Sequence, residues 1–252
     1  MIRILMHGCN GRMGRFITKI AGEDSEVKIV AGVDPYDKVQ NDYPVFKSIK
    51  ECDVEADVVI DFAFAEAVDD LIDYCLQQKI PVVLCTTGLS EAQLKKVKDA
   101  SEKIAVLKSA NMSLGVNLLI KLLKENAVTL ANEGFDIEIV EKHHKMKKDA
   151  PSGTALALAD AINESSDNKY SYVFDRSERR QERPQNEIGI SAVRGGTIVG
   201  DHDVIFAGED EVVTFSHTAY SRAVFAKGAV AAAKFLYDKE NGFYDMQDVV
   251  CK

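Results

Sequence analysis

The segment EKHHKMKKDAPSGTA, at positions 141–155, concentrates titratable side chains directly before a predicted helix start. A histidine can exchange a proton near neutral pH, and a partly desolvated lysine can donate one. Ser152 has the side chain of a helix N-cap, and the free N–H groups of a first helical turn bind anions. These residue types predict a pocket in which a small dianionic substrate is protonated. Its lining would be His143, His144, Lys147, the backbone N–H groups of Ser152, Gly153 and Thr154, and the Thr154 hydroxyl.

The same segment has simpler explanations. Lys145, Lys147 and Lys148 can form a solvated loop with incidental histidines, and spacing alone does not decide between that loop and an anion site. Adjacent residues of a strand point to opposite faces, so His143 and His144 do not readily share an ion, and no metal is predicted. No Cys or Ser has an obvious base partner, which leaves nucleophilic catalysis with little support.

A glycine-rich turn, GCNGRMG at 8–14, follows the apolar strand of residues 2–7 and precedes a helical pattern. Such a turn lets the backbone approach a pyrophosphate at the helix N-terminus, although its GxxGxxG spacing also suits a purely structural turn. Asp34 ends the second predicted strand, where a carboxylate bonds ribose hydroxyls. The order of strand, glycines, helix, strand and acid predicts dinucleotide binding. The Thr86-Thr87-Gly88 turn lies at the same sheet edge.

The composition limits the ligand class and the compartment. The 252 residues carry a formal net charge of −9, which argues against a nucleic-acid or anionic-membrane partner. Five scattered cysteines without a CxxC pair predict neither a disulfide framework nor a zinc site. Without a signal-peptide pattern, or an apolar run near the roughly 18–20 residues of a membrane span, we predict a reduced, cytoplasmic protein.

Periodicity predicts the elements that position these residues. Up to about residue 110, short apolar strands alternate with amphipathic helices, the pattern of an α/β protein with a parallel sheet covered on both faces. One of these helices begins with the capping-box spacing of Ser90 and Gln93. A second region follows, with an apolar helix and short strands of antiparallel texture at 188–219. Residues 164–187 are predicted to be a long mobile loop, and an Ala-rich helix near the C-terminus can pack back on the first region.

The motifs together resemble those of the dihydrodipicolinate reductase family. EKHHKMKKDAPSGTA is similar to the family signature E-x-H-H-x-x-K-x-D-A-P-S-G-T-A. GCNGRMG, CTTG and SANMSLGVN resemble its glycine loop, its central turn and its hinge. VRGGTIVGDHDVIFAG and SRAVFAKGAVAAAKFL resemble its C-terminal blocks, so the resemblance covers the whole chain.

The resemblance implies a Rossmann-type doubly wound sheet plus a second α+β domain with a mixed or antiparallel sheet. Residues 1–112 with 221–252 would form the dinucleotide-binding domain, and residues 113–220 the substrate-binding and oligomerisation domain of a homotetramer. The implied activity is NAD(P)H-dependent reduction of 4-hydroxy-tetrahydrodipicolinate, a cyclic dicarboxylate, in lysine and diaminopimelate biosynthesis.

Residue roles are implied by position in the matched motifs. His143 and Lys147 become the catalytic acids, and His144, Ser152, Gly153 and Thr154 become substrate-binding residues. The implied cofactor contacts lie in the glycine loop, at the acid of the second strand, in the central turn and in the hinge. They are Gly8, Cys9, Asn10, Gly11, Arg12, Met13, Gly14, Asp34, Cys85, Thr86, Thr87, Gly88, Ser109, Ala110, Asn111 and Met112.

Asp34 bears on the choice of nucleotide, because its carboxylate would repel the 2′-phosphate of NADPH. Pro35 follows it where NADPH-preferring members of the family carry an arginine. Arg12 and Lys38 can offset the repulsion, so we predict dual use with NADH preferred about tenfold or less, or about 1.4 kcal/mol.

Two other functions fit parts of the pattern. A nicotinamide-binding redox sensor would need no proton donor, which the His143 and Lys147 pair supplies. A dehydrogenase that acts on another small acid is the second alternative. The Ser-Gly-Thr anion site, next to two histidines and a lysine, favours a dicarboxylate substrate over it.

Overall fold

The computed structural model describes residues 1–36 and 39–251, which form two compact units. The first unit comprises residues 1–114 and 222–252, and the second comprises residues 115–221. In chain order the elements are β1 (Ile2–His7), α1 (Arg12–Gly22), β2 (Val27–Val33), β3 (Val45–Phe46), β4 (Val58–Asp61), α2 (Val68–Gln78), β5 (Val82–Leu84), α3 (Glu91–Ala100), β6 (Ala105–Lys108), α4 (Leu114–Asn132), β7 (Asp136–His143), α5 (Gly153–Ser165), β8 (Ser171–Val173), β9 (Glu187–Arg194), β10 (Gly200–Ala207), β11 (Val212–Ala219), α6 (Ala223–Leu236), β12 (Gly242–Tyr244) and α7 (Met246–Val250).

The first unit is built on a parallel seven-stranded sheet with the order β12-β6-β5-β4-β1-β2-β3. Its strands are apolar on both faces because helices cover both sides. Ile4 and Ile60 face the core shared with α1 and α6, whereas Leu5 and Val59 face the core shared with α2 and α3. The predicted α/β class with a Rossmann-type sheet is confirmed. The capping box of Ser90 and Gln93 at the start of α3 is also confirmed.

The Ala-rich helix α6 completes this unit. At Gly228 a Cβ atom would lie 1.6 Å from the carbonyl oxygen of Met112, so the helix approaches that backbone more closely than any side chain allows. Ala229, Ala233 and Leu236 are buried in the same core as β1 and β4. Three short elements of this unit, β3, β12 and α7, were not predicted. Among the described residues, no helix is long and apolar enough to cross a membrane.

The second unit contains a mixed five-stranded sheet with the order β11-β10-β7-β9-β8. Strand β10 runs antiparallel to β7 and β11, as the texture predicted, but β9 runs parallel to β7 and β8. Helices α4 and α5 cover one face through a core that includes Leu123, Leu158, Ile139 and Phe206. Along β7 the buried residues alternate, which places Glu141 and His143 on the helix-covered face.

The prediction of one long mobile loop over residues 164–187 is wrong in its extent, because both ends and residues 171–173 belong to regular elements, whereas residues 174–186 form neither helix nor strand. Helix α5 extends to Ser165, β8 pairs with β9, and β9 begins at Glu187. The polar stretch between these strands is held by ion pairs. Arg176 and Arg179 bind Glu187 at 2.5 and 2.6 Å, and Arg183 binds Asp136 at 2.6 Å. Polar composition indicated a solvated loop, but its arginines pair with Glu187 at the start of β9 and with Asp136, 47 residues from Arg183, on β7.

Candidate active site

The loop between β1 and α1 depends on two glycines. Gly8 has a φ of +82°, and a Cβ there would lie 2.6 Å from the carbonyl oxygen of Phe62. At Gly14 a Cβ would lie 2.3 Å from the carbonyl oxygen of Gly8. The loop is therefore folded tightly onto the start of α1, whose N-cap is Gly11. This geometry brings backbone N–H groups to a position where they can meet a pyrophosphate.

A cavity of about 640 Å³ lies along this loop, within the first unit. Arg12 and Arg222 line it and supply positive charge for phosphate groups. Tyr36 and Phe64 line it as well, and they are 71% and 70% exposed. Exposed rings beside a charged loop offer stacking surfaces to a planar base. The lining thus suits a ligand that carries both anionic and aromatic groups.

The Asp34 carboxylate also lines the cavity and is fixed by two backbone donors. The N–H groups of Asn10 and Tyr36 donate to its two oxygens, each at 2.9 Å. Each carboxylate oxygen has a further acceptor position, which a ribose hydroxyl can occupy. Lys38, the second predicted counterion for a 2′-phosphate, lies outside the described residues.

Some of the other residues predicted to contact the cofactor are exposed, and others are buried in the core. Thr87, Gly88 and Ala110 are exposed beyond the carboxyl ends of β5 and β6, and Ser109 and Asn111 are half-buried there. The side chains of Cys9 and Met112 are buried in the core, so only their backbone is placed to contact a ligand. Thr86 is also buried, and its hydroxyl has no hydrogen-bond partner among the described residues.

Neither thiol of this region is suited to nucleophilic chemistry. Burial raises the pKa of the Cys9 thiol to about 12, and Asp34 adds to the shift. Burial and then Asp61 raise the pKa of Cys85 well above its usual value. Both sulfurs are therefore neutral at pH 7, whereas the reactive form of a cysteine is the thiolate.

In the second unit, Glu141 organises the histidine motif. Its fully buried carboxylate lies 2.6 Å from His143 Nδ1 and accepts the Ser152 N–H at 2.9 Å. The Arg194 guanidinium donates to both oxygens at 2.7 Å. Burial opposes ionisation of Glu141, but the hydrogen bonds from Arg194, His143 and Ser152 outweigh it and lower its pKa. Glu141 is therefore a buried anion at neutral pH.

The carboxylate of Glu141 sets the orientation of His143. An ionised carboxylate only accepts hydrogen bonds, so His143 Nδ1 carries a proton and Nε2 is the position left for chemistry. Space for that nitrogen is provided by Gly200, where a Cβ would lie only 3.0 Å from it. The ring of His202 stands edge-on, with centroids 5.2 Å apart. Burial, and then His143, lower the pKa of His202 to about 4, so His202 is neutral at pH 7.

Ser152 is the N-cap of α5, as predicted, but it does not offer a free N–H group. Its N–H donates to Glu141, its Oγ accepts from the Ala155 N–H at 3.1 Å, and the residue is 1% exposed. The prediction of a free Ser152 N–H group is wrong, because the Glu141 carboxylate accepts its hydrogen bond. Ser152 Oγ also lies 3.0 Å from His202 Nε2. The exposed first turn begins one residue later, at Gly153.

Lys147 differs from its lysine neighbours. Its Nζ lies 2.8 Å from Asp149 Oδ2, and its side chain is 21% exposed, whereas Lys145 and Lys148 are exposed. The hydrogen bond from Lys147 lowers the pKa of Asp149. The Lys147 backbone N–H donates to the His144 carbonyl at 3.1 Å and closes the turn after β7. A solvated basic loop does not account for Lys147, which is held in one place.

Comparison with known proteins decides the family. Residues 2–112 match the family model for the dihydrodipicolinate reductase N-terminus, and residues 115–250 match the model for its C-terminus. The chain belongs to the dihydrodipicolinate reductase family. It is an NAD(P)H-dependent oxidoreductase of lysine and diaminopimelate biosynthesis, and the predicted reduction of 4-hydroxy-tetrahydrodipicolinate is confirmed.

Individual relatives agree along the whole length. The 4-hydroxy-tetrahydrodipicolinate reductase of Caldanaerobacter subterraneus subsp. tengcongensis is 57% identical over 252 residues, which are 100% of this chain and 99% of the relative. That of Clostridium tetani is 49% identical over 98% of this chain and 96% of its own. The structure of dipicolinate-bound dihydrodipicolinate reductase from Paenisporosarcina sp. TG-14 matches with a TM-score of 0.80 and 26% identity, covering 98% of each chain. The sensor and the dehydrogenase of another acid are therefore not favoured.

Within this reductase, several site residues escaped prediction. Arg194 faces His143 across β9 and β7, and His202 faces Glu141 across β10 and β7. Such pairings depend on strand register, which the sequence does not display. Glu141 did leave a signal, because it occupies a buried position in the alternating pattern of β7. Arg222 left none, since its place beside the glycine loop follows from the return of α6 to the first unit.

Proposed function

We propose that the reduced nicotinamide dinucleotide binds in the cavity beside the glycine loop. The tight turn at Gly8 and Gly14 suits the pyrophosphate, and Arg12 and Arg222 add positive charge. Asp34 is placed to accept hydrogen bonds from the hydroxyls of the adenosine ribose. When bound, the cofactor supplies the hydride. The residues of the first unit bind and orient it.

The cofactor contacts beyond the glycine loop belong to the same proposal. Tyr36 and Phe64 provide stacking surfaces for the adenine. Residues 85–88 and 109–112 follow β5 and β6 at the carboxyl edge of the sheet, where ligands of doubly wound folds bind. We assign the nicotinamide end to that edge. The Thr86 hydroxyl is buried and has no hydrogen-bond partner among the described residues. The amide group of a ligand bound there would supply that partner.

We propose that the second unit binds the dicarboxylate substrate. Dipicolinate, a planar dicarboxylate, is the ligand in the structure of the Paenisporosarcina relative. One carboxylate would meet the N-terminus of α5 at Gly153 and Thr154, where the helix dipole favours an anion. His144 would bind the other. Ser152 contributes indirectly, since it caps the helix and is itself buried.

We propose His143 and Lys147 as the proton donors. Loss of the 4-hydroxyl group of the substrate as water gives a conjugated imine. Hydride addition to that imine leaves an electron pair on a neighbouring carbon, which must take a proton. The observation that carries this assignment is the 2.6 Å bond between His143 Nδ1 and the buried Glu141, because it leaves Nε2 as the ring nitrogen available for proton transfer. Asp149 holds the Lys147 ammonium at 2.8 Å. Both acids are therefore positioned before substrate arrives.

We propose dual nucleotide use with a weak preference for NADH. The Asp34 carboxylate is immobilised by two N–H donors, so it cannot easily turn away from a 2′-phosphate. Arg12 lines the same cavity and offsets part of the repulsion. The expected ratio of kcat/KM, NADH over NADPH, is about ten or less. Steady-state measurements with both nucleotides at one ionic strength test it, and a clear NADPH preference would overturn it.

We further propose a cytoplasmic homotetramer assembled through the second unit. All five cysteines are free thiols, which fits a reducing compartment. Val193 and Val212 are 46% and 62% exposed on strands of the second sheet, and exposed apolar strand residues are typical of a covered surface in an assembly. Light scattering coupled to size-exclusion chromatography gives the mass. A monomer at micromolar concentration would contradict the proposal.

A coupled assay tests the proposed roles directly. Synthase product, formed from pyruvate and aspartate semialdehyde, is supplied with NADH or NADPH, and oxidation of the nucleotide is followed by absorbance. We expect turnover that depends on both synthase and reductase. Purified protein that binds nucleotide but oxidises none would overturn the reductase function and favour a nicotinamide-binding redox sensor.

A further inference from the structure

His7 and Asp61 form a buried pair at the point where the sheet of the first unit reverses its strand order. They are the last residues of the neighbouring parallel strands β1 and β4, and they stand opposite each other in register. From β1 the chain passes to β2 on one side, while β4 and β5 lie on the other. In doubly wound sheets, dinucleotides cross the sheet edge at this switch point.

The hydrogen bonds of the pair fix the histidine ring. Asp61 Oδ1 lies 2.7 Å from His7 Nδ1 and also accepts the Ala63 N–H at 3.2 Å. Since a carboxylate only accepts, His7 Nδ1 carries a proton, and in the singly protonated ring Nε2 is an acceptor. The ring hydrogen bond of His7 is made by Nδ1, and none from Nε2 to another described residue is seen. Asp61 Oδ2 is buried without a partner among the described residues. His7 is 5% exposed and Asp61 is fully buried.

The residue that carries this ring lies at the cavity assigned to the cofactor. His7 lines that cavity together with Gly8, Asn10 and Phe62. A ring nitrogen without a protein partner, in a residue that lines a ligand cavity, is open to a hydrogen bond from the ligand. Neither residue belongs to the motifs that predicted the cofactor site, and the proton-donating residues lie in the other unit.

We propose that His7 Nε2 accepts a hydrogen bond from a hydroxyl of the nicotinamide-side ribose, and that Asp61 is the positioning residue that holds the ring. The inference rests on the proposed placement of the cofactor in this cavity. Asp34, at the end of β2, takes the adenine-side ribose on one side of the glycine loop. His7 lies on the β4 side of that loop, so it meets the part of the ligand beyond the pyrophosphate.

Two isosteric variants separate contact with the ligand from support of the fold. In His7→Asn the amide nitrogen takes the place of Nδ1 and keeps the donor to Asp61, but nothing reaches the place of Nε2. In His7→Gln the amide reaches the place of Nε2, but the donor to Asp61 is lost. Binding of NADH, ADP-ribose and AMP is measured by calorimetry, and thermal stability is measured alongside. ADP-ribose contains the second ribose, and AMP does not.

For His7→Asn we expect Kd for NADH and ADP-ribose to rise about three- to tenfold, with Kd for AMP and the Tm unchanged. His7→Gln should bind all three ligands nearly as the wild type does but melt earlier. Asp61→Asn should weaken NADH binding less than His7→Asn does. Lys28→Ala, on the exposed face of β2, is the control and should change nothing.

If His7→Asn bound NADH and ADP-ribose like the wild type, the inference would be wrong. An equal loss for AMP would also overturn it, since that outcome means a distorted glycine loop. Failure of the proposed cofactor site has a different signature, because Asp34→Ala would then leave the binding of all three ligands unchanged. Failure of the proposed catalytic roles would leave every one of these affinities as expected.

Discussion

Arg194 binds both carboxylate oxygens of Glu141 at 2.7 Å and also donates to the Asp149 carbonyl at 2.6 Å. One side chain of β9 is thereby joined to β7 and to the loop that carries Lys147. Glu141 in turn holds His143 and the first capping residue of α5. The geometry of the proposed acids and of the anion site therefore depends on a single buried charge.

Replacing that charge should damage both stability and catalysis. Glu141→Gln keeps the shape of the side chain but removes the charge that Arg194 and His143 require. We expect the free energy of unfolding to fall on the order of 3 kcal/mol, because a buried ionic partner is left uncompensated. The value of kcat should fall as well, since His143 loses the anionic partner that orients its ring. Urea unfolding and steady-state kinetics provide the two measurements.

Asp203→Asn is the matched control for Glu141→Gln. Asp203 pairs with Lys142 at 2.9 Å, but both side chains are partly exposed, at 26% and 37%. Exposed pairs contribute about 0–1 kcal/mol. A loss for Glu141→Gln no larger than that of the control would show that the buried network is not a stability element.

His202 should make the protein less stable in mild acid. Its folded pKa of about 4 lies below the usual 6.5, so the folded state binds fewer protons than the unfolded state between these values. Stability should therefore fall as the pH drops from about 6.5 through about 4, by roughly 3 kcal/mol in full. His202→Gln should remove most of this slope. Denaturant titrations at pH 7 and pH 5 measure it, and equal slopes in both proteins would contradict the expectation.

Lys147 should matter to chemistry and not to cofactor affinity. Lys147→Ala removes a positioned acid, which contributes roughly 10² to 10⁴ in rate. We expect kcat to fall by that order, while Kd for NADH stays unchanged. Lys148→Ala removes an exposed lysine of the same loop and should leave kcat intact. Similar kcat values for the two variants would show that Lys147 is not a catalytic acid and that the loop is only a solvated basic segment.

Asp34 should govern the nucleotide ratio. Asp34→Asn removes the negative charge beside the adenosine ribose, so kcat/KM with NADPH should rise relative to NADH by about tenfold. Lys47→Asn, which changes the charge of another cavity-lining residue, tests whether any charge change gives the same effect. An unchanged ratio in Asp34→Asn would mean that Asp34 does not face the 2′ position.

Two glycines of α1 offer a matched pair. Gly14→Ala places a methyl group 2.3 Å from the Gly8 carbonyl oxygen, so the loop must deform, and we expect Kd for NADH to rise tenfold or more. At Gly22 nothing lies within 4 Å of a new Cβ. Gly22→Ala should therefore be neutral or stabilise by about 0.5–1 kcal/mol. Calorimetry and thermal unfolding compare them, and equal nucleotide affinities would argue against the proposed pyrophosphate site.

Elements with strong local signals were predictable from the sequence. The glycine loop, the capping box at Ser90 and the cap at Ser152 each depend on contacts within a few residues, so their patterns are visible in the chain itself. The signature segment was recognised by resemblance, which identified His143 and Lys147 without showing what holds them. The parallel first sheet followed from its alternating strands and helices.

Long-range partners were not predictable in the same way. The Ser152 N–H group was predicted to be free, but it donates a hydrogen bond to Glu141, eleven residues earlier in the chain. The arginines of the supposed mobile loop find acids on β7 and β9, up to 47 residues away. The pairing of His7 with Asp61 spans 54 residues and depends on β1 lying beside β4. The last pairing depends on strand register, which periodicity leaves undetermined.

The close packing of Gly228 on the Met112 carbonyl has a consequence for biosynthesis. The first unit buries Ile4 and Ile60 against α6, so its core stays open while the ribosome is still adding the second unit. The second unit is continuous in sequence and can fold first. Residues 1–114 can complete their core only after α6 has been synthesised. Chains stalled before Ala223 would expose an apolar sheet face to chaperones and proteases. Limited proteolysis of stalled nascent chains should therefore cut residues 1–114 while sparing residues 115–221.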